Sequence, residues 1–202
     1  PRNAFLEEID RCDACKIPYL ICHPGSHLKT GEDECLTRIA ESIDYCLHER
    51  PDSSVNLLIE NTAGQGSNVG YCFEHLHAII DQVQKQERMG VCIDTQHSFA
   101  AGYDLRTEKG WNETFDEFDK IVGLERIKAF HVNDSKRELG TRVDRHEKIG
   151  QGFLTMETFW CLVNDERFGE IHMVLETPVD DESEYTDELK VLRSLIGAPK
   201  PK

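Results

Sequence analysis

Residues 89–97 read MGVCIDTQH, and this stretch decides the fold. Met89 to Ile93 is a short, unbroken apolar run, as expected of a strand buried on both faces in a parallel sheet. It ends on a carboxylate, Asp94, with an imidazole, His97, three residues on. The same grammar recurs in both directions. PYLICH fills 18–23, VNLLIE 55–60, IKAFH 127–131 and HMVLE 172–176. Five predicted strands thus end in His23, Glu60, Asp94, His131 and Glu176, one every 34–45 residues. Strand ends hold side chains more rigidly than loops do. Nitrogen and oxygen donors gathered there suit a borderline cation such as zinc.

Amphipathic helical patterns separate the strands. Leu36, Ile39, Ile43 and Leu47 form one stripe, and Phe73, Leu76, Ile80 and Val83 a second. Phe115, Phe118 and Val122 form a shorter third, residues 155–163 a fourth with Thr155 as candidate N-cap, and Tyr185, Leu189, Leu192 and Leu195 the last. Strand–helix alternation of this kind means an α/β protein with a parallel sheet. A doubly wound sheet gathers its ligands at one switch point, whereas a (β/α)8 TIM-type barrel displays residues from every strand at its C-terminal face. The barrel fits better, with about five of the eight βα units present. We expect an incomplete barrel domain over residues 1–196 and a disordered tail over 197–202, GAPKPK.

The composition narrows the function. With 23 basic and 38 acidic residues the formal charge is −15, which argues against bulk electrostatic binding of nucleic acid. Four of the candidate ligands are themselves carboxylates, and three bound dications would bring the total to −9, so the local field can be positive in an acidic chain. The eight cysteines do not form a disulfide pattern. Cys22 and Cys92 lie in strands, four others lie on or beside helices, and Cys12 and Cys15 form a single C-x-x-C read as reduced thiols at a helix end. Together with the lack of a membrane-length apolar run or a signal peptide, this points to an intracellular protein with no membrane partner.

The loops carry further candidates. HPGSH at 23–27 turns the chain after its strand, with His23 facing the site and His27 supporting the loop. ENTAGQGSNVG at 60–70 is one residue too long for a dinucleotide fingerprint. It reads either as a phosphate-approaching turn at a helix N-terminus or as a plain flexible turn. Asp144 and His146, two apart in extended chain, share a face and can chelate one ion, with Arg145 pointing away and free to clamp a phosphate. Lys136, in the HVNDSK segment, reads as a phosphate contact or a solvated surface lysine. His48, His75 and His77 read as surface or helix histidines, and His172 begins a strand at the end remote from the site.

Taken together, HPGSHL, IENTAGQGSN, GVCIDTQHSFAAGYDLRT, HVNDSK, TRVDRHEKIGQG and VLETP resemble the endonuclease IV family of apurinic/apyrimidinic endonucleases, in the family's order, from about residue 15 to 178. The resemblance implies a (β/α)8 barrel with three zinc ions. His23 and Glu60 would belong to the first; Glu60 would bridge to the second, completed by Asp94, His131 and Glu176; His97, Asp144 and His146 would hold the third. A further family histidine of the first site lies on a strand before His23 and has no counterpart here, so the resemblance also implies a chain lacking the N-terminal part. Gln96 stands where the family often has cysteine.

The implied function is base-excision repair. A metal-bridged hydroxide would hydrolyse the phosphodiester 5′ to an abasic site in double-stranded DNA, with cleaning of 3′ ends as a related activity. Glu60 and Glu176 would be catalytic, and Arg145 and Lys136 would contact DNA phosphates. The implied protein is a monomer, cytoplasmic in a prokaryote and nuclear or mitochondrial in a eukaryote. Two rivals remain. A metal-dependent sugar isomerase or epimerase would use Glu60, Asp94, His131 and Glu176 alone, leaving His97, Asp144 and His146 without a role. An inactive fragment that binds metal or a partner is the second.

Overall fold

The computed structural model describes residues 2–201. In chain order its elements are α1 (Arg2–Cys15), β1 (Tyr19–Cys22), β2 (Gly25–Ser26), α2 (Glu32–Glu49), β3 (Asn56–Glu60), β4 (Asn68–Val69), α3 (Phe73–Gln82), β5 (Met89–Asp94), α4 (Thr95–Ala101), α5 (Glu108–Ile121), β6 (Ile127–Val132), β7 (Asp134–Ser135), β8 (His146–Glu147), α6 (Met156–Asn164), β9 (His172–Leu175) and α7 (Glu184–Leu195). The five long strands form one parallel sheet in the order β1-β3-β5-β6-β9, which is their order in the chain.

This sheet is curled. In a flat sheet the first and fifth strands would lie roughly 19 Å apart at the usual inter-strand spacing. Yet the rings of Tyr19 on β1 and His172 on β9 have centroids 5.9 Å apart. Only a sheet rolled towards its inner face brings them together, which is the geometry of a (β/α)8 barrel wall. Both residues start their strands, so their contact marks the end opposite the ligands.

The two faces carry different cores. Outside, Leu57, Ile59, Val91, Ile93, Phe130 and Val132 pack against the helices in one continuous cluster. Inside, Leu58, Cys92 and Ala129 form a small cluster with Tyr19 and Ile21 against it. Beyond the sheet, Asp165 ties α5 to α6: the Trp111 indole donates to its Oδ2 at 2.8 Å and Arg167 forks both oxygens at 2.6–3.0 Å.

Some details differ from or add to the sequence expectations. Within the segment 197–202, Trp160 Nε1 donates to the Ala198 carbonyl at 2.7 Å, and Lys200 pairs with Glu108 at 3.0 Å. Residue 202 lies outside the described residues. Thr155 stands at the N-cap position of α6, but its hydroxyl donates to the Arg106 carbonyl and caps nothing. His75 is on a helix as expected yet buried, accepting the Gly70 N–H and facing Glu32 at 3.5 Å. All eight cysteines are free, and no helix among the described residues is long and apolar enough to cross a membrane.

Candidate metal centre

The C-terminal rim of the curled sheet collects all eight ligand candidates. Register explains why. Cys22 pairs with Ile59, Glu60 with Cys92, and Asp94 with His131, so successive strands end level with one another. His97 arrives by another route. β5 passes into α4 without a loop, and Asp94 caps that helix by accepting the His97 N–H at 2.9 Å. The cap uses Oδ1, and Oδ2 stays on the side of His146, 3.9 Å from its Nε2. Asp144 and His146 come in on the β7–β8 hairpin, where Ser135 pairs with His146.

The donor atoms converge. Glu60 Oε1 lies 2.9 Å from His131 Nδ1 and 3.3 Å from His97 Nδ1, while its Oε2 lies 3.4 Å from His23 Nε2. His131 Nδ1 is 3.0 Å from Glu176 Oε2. The Nε2 atoms of His97 and His146 are 3.4 Å apart, and Asp144 offers one oxygen to each at 3.4 Å. Donors held about 2.0–2.1 Å from a tetrahedral ion sit roughly 3.3 Å from one another, so these spacings fit a zinc coordination shell. Three groups bring their ligand atoms within 4.8 Å: His23, Glu60 and His97; Asp94, His97 and His146; and Glu60, Asp94, His131 and Glu176.

The imidazoles are oriented from behind. His97 Nδ1 is 2.9 Å from the Asn61 carbonyl and His146 Nδ1 is 3.2 Å from that of Glu176. A carbonyl can only accept, so Nδ1 donates and Nε2 is the nitrogen turned to the site. Charge is balanced within the cluster. Burial pushes the Glu60 carboxyl up, but hydrogen bonds from His131, His23 and His97 outweigh it and hold the group well below the usual carboxylate range. Burial lowers His97, yet Asp94, Asp144 and Glu60 together raise it well above an ordinary histidine. His131 is likewise raised, burial being overcome by Cys92, Glu176 and Glu60. His23 is raised by Glu60, and Asp144 is lowered by His97. Such a set of carboxylates and protonated imidazoles exchanges protons for a cation when one binds.

A family model described as xylose isomerase-like TIM barrel matches residues 2–195. The chain is 48% identical over 194 residues to a protein of Chloroflexus aurantiacus named probable endonuclease 4, covering 96% of this chain and 68% of that protein. It is 50% identical over 199 residues to one of the same name from Campylobacter curvus, covering 98% and 69%. The crystal structure of endonuclease IV from Thermus thermophilus superposes with a TM-score of 0.82 at 33% identity, over 96% of this chain and 67% of that one.

The chain belongs to the endonuclease IV family. It is thereby of an enzyme class, the DNA-cutting nucleases, on a TIM-barrel scaffold. Within this endonuclease IV chain the two cationic candidates stand apart from the donor cluster. Lys136 is exposed, with Nζ 3.8 Å from Glu147, and Arg145 is exposed with its guanidinium on the Asp144 carbonyl at 2.6 Å. Both flank the hairpin that carries His146.

Residues that sequence reasoning passed over hold the site together. Gln65 Oε1 accepts the Asp144 N–H at 2.9 Å, and Gln96 Nε2 donates to the Val143 carbonyl at 3.0 Å, so two glutamines pin the Asp144 loop. Buried Asp134 accepts four backbone N–H groups, from Ser135, Gly150, Gly152 and Leu154, at 2.7–3.0 Å. It thereby fixes the loop after the hairpin. The Gly-rich segment 60–70 is also closed on itself. Thr62 bonds to Gly70 and Val69, β4 pairs with β2, and the first N–H of α3 is taken by the Tyr103 hydroxyl. An asparagine or glutamine one or two positions from a ligand is the only signal that marked any of these.

Proposed function

We propose that this chain binds zinc through His23, Glu60, Asp94, His97, His131, Asp144, His146 and Glu176, and that the site serves hydrolysis of the phosphodiester 5′ to an abasic site in double-stranded DNA. The observation that carries the reading is a further set of donors beside the four-residue group. The 3.4 Å triangle of His97, Asp144 and His146 stands beside the Glu60, Asp94, His131 and Glu176 set. A sugar isomerase using one ion would need only the latter set; three groups suit a phosphodiester, which carries charge on several oxygens.

Bound zinc supplies Lewis-acid polarisation of the phosphate oxygens. The protein's part is to hold and orient. Glu60 is buried and turns one oxygen towards His23 and the other towards His131 and His97, the disposition of a bridging carboxylate. Glu176 has a side chain 42% exposed and directs only Oε2 at His131. That half-open side chain is the group we assign to orienting the attacking water, by accepting its proton in a hydrogen bond. Lys136 and Arg145 on the hairpin rim are the phosphate contacts, and removal of a base lowers the cost of turning the sugar out of the stack.

The test uses the full chain, loaded with zinc and given duplex DNA bearing one abasic site. Zinc uptake and incision 5′ to the lesion are expected, with both lost in Glu60→Gln. Incision at an undiminished rate by Glu60→Gln overturns the assignment, as does turnover of a ketose without DNA cleavage.

A further inference from the structure

Asn133 lies two residues beyond His131, is fully buried, and faces the donor cluster without belonging to it. Its Nδ2 donates to Asp94 Oδ2 at 2.6 Å, and its Oδ1 accepts the Glu176 N–H at 3.2 Å. The amide's orientation follows from its partners. Turned over, it would set oxygen against a carboxylate and N–H against N–H. Its backbone is clasped as well: the Thr95 hydroxyl donates to the Asn133 carbonyl at 2.6 Å, and the Asn133 N–H points back to the Thr95 oxygen at 2.9 Å.

The effect on Asp94 can be counted. Its Oδ1 is taken by the His97 N–H and one lone pair of Oδ2 by Asn133. Each oxygen keeps one further lone pair, and on Oδ2 that remaining pair is the one near the imidazoles, since His97 and His146 both lie 3.9 Å from that oxygen. At the same time the amide grips the main chain of Glu176 at the end of the neighbouring strand, β9. Glu176 follows β9 and is the most exposed carboxylate of its group, so it has the least of its own packing to hold it.

We infer that Asn133 is a positioning residue for the zinc centre: its amide aims Asp94 Oδ2 and fixes the backbone of Glu176, setting the separation of two ligands drawn from β5 and the end of β9. This rests on the metal-binding reading above. Partners of this kind behind a metal ligand govern affinity by about 10–100-fold.

The experiment is zinc titration of the full chain against a chromophoric chelator, with the visible absorption of the cobalt-substituted protein as a second readout. Asn133→Ala is compared with Asn164→Ala. Asn164 is likewise held through its amide, which makes three hydrogen bonds to the backbone of Trp160, Leu195 and Gly197, but on the outer helices. Asn133→Ala is expected to weaken zinc binding at least tenfold and to change the cobalt bands, while Asn164→Ala changes neither. Affinity within threefold of the unmodified chain with unchanged bands overturns the inference and leaves the metal reading standing. Failure of the unmodified chain to take up zinc overturns both. If Asn133→Ala does not fold, the side-chain NH2 resonance of Asn133 in the unmodified protein decides. It must shift on zinc addition, and an unmoved resonance refutes the role.

Discussion

Replacing Asp134 with alanine should cost about 3 kcal/mol of folding stability. The figure follows from where its four donors lie. Ser135 and Leu154 are buried, so their N–H groups would be left without a partner, at about 1–3 kcal/mol each. Gly150 is exposed and Gly152 half-buried, so water can reach their N–H groups and adds little to the cost. Release of the buried carboxylate offsets part of the loss. Urea denaturation at neutral pH measures the result as a drop in midpoint with an unchanged slope. Asp134→Asn sharpens the test. Its oxygen can still serve Ser135 and Leu154, while its NH2 would face the N–H groups of Gly150 and Gly152. It should recover about half of the loss. A penalty below about 1 kcal/mol for Asp134→Ala, or full stability in Asp134→Asn, would refute the view that the four acceptor contacts hold this loop.

Two further outcomes follow from burial and charge. Burial pushes the Asp165 carboxyl up, but hydrogen bonds from Arg167 and Trp111 prevail and hold it below its ordinary value. A depressed carboxylate contributes stability that is present above its unfolded pKa of about 3.9 and is lost as pH falls through the folded value. Asp165→Asn should therefore lower stability by about 1–2 kcal/mol at pH 7 and flatten the decline below about pH 4; parallel acid limbs in the two proteins would contradict this. Burial pushes the Cys22 thiol up to about 12. Iodoacetamide at pH 8 should label exposed Cys15 and spare Cys22, because the thiolate is the reactive form; mass-spectrometric detection of early labelling at Cys22 would count against a protonated, protected thiol.

The strands and the polar residues gathered at their ends were legible because each signal was local. An apolar run followed by His, Glu or Asp needs no knowledge of distant residues, and the repeat of that run implied the parallel order. His97 was readable as a ligand candidate but not its support, since α4 opens directly on Asp94 and is short. The antiparallel pair β2–β4 and the hairpin β7–β8 left no trace in the pattern, being two residues long on each side. Gln65, Gln96, Asn133 and Asp134 were hidden for a different reason. Each acts on backbone or side-chain atoms brought near by folding, and a polar residue in a polar loop carries no periodicity. His75 was readable as a helix residue, but its burial was not, because its partners Gly70 and Glu32 lie outside that helix.

The junction at Asp94 has a consequence for how this chain tolerates remodelling. Most strand–helix connections contain a few residues whose torsions absorb a change in length. Between β5 and α4 there are none, so a residue inserted after Asp94 would rotate His97 by about 100° around the helix axis and lift it by about 1.5 Å. The same insertion at Pro51–Ser54, in the largely exposed connection at the far end of the sheet, would meet only the slow logarithmic cost of a longer loop. A change in length is therefore tolerated in that connection and not at this junction, where the spacing DTQH behaves as a fixed ruler.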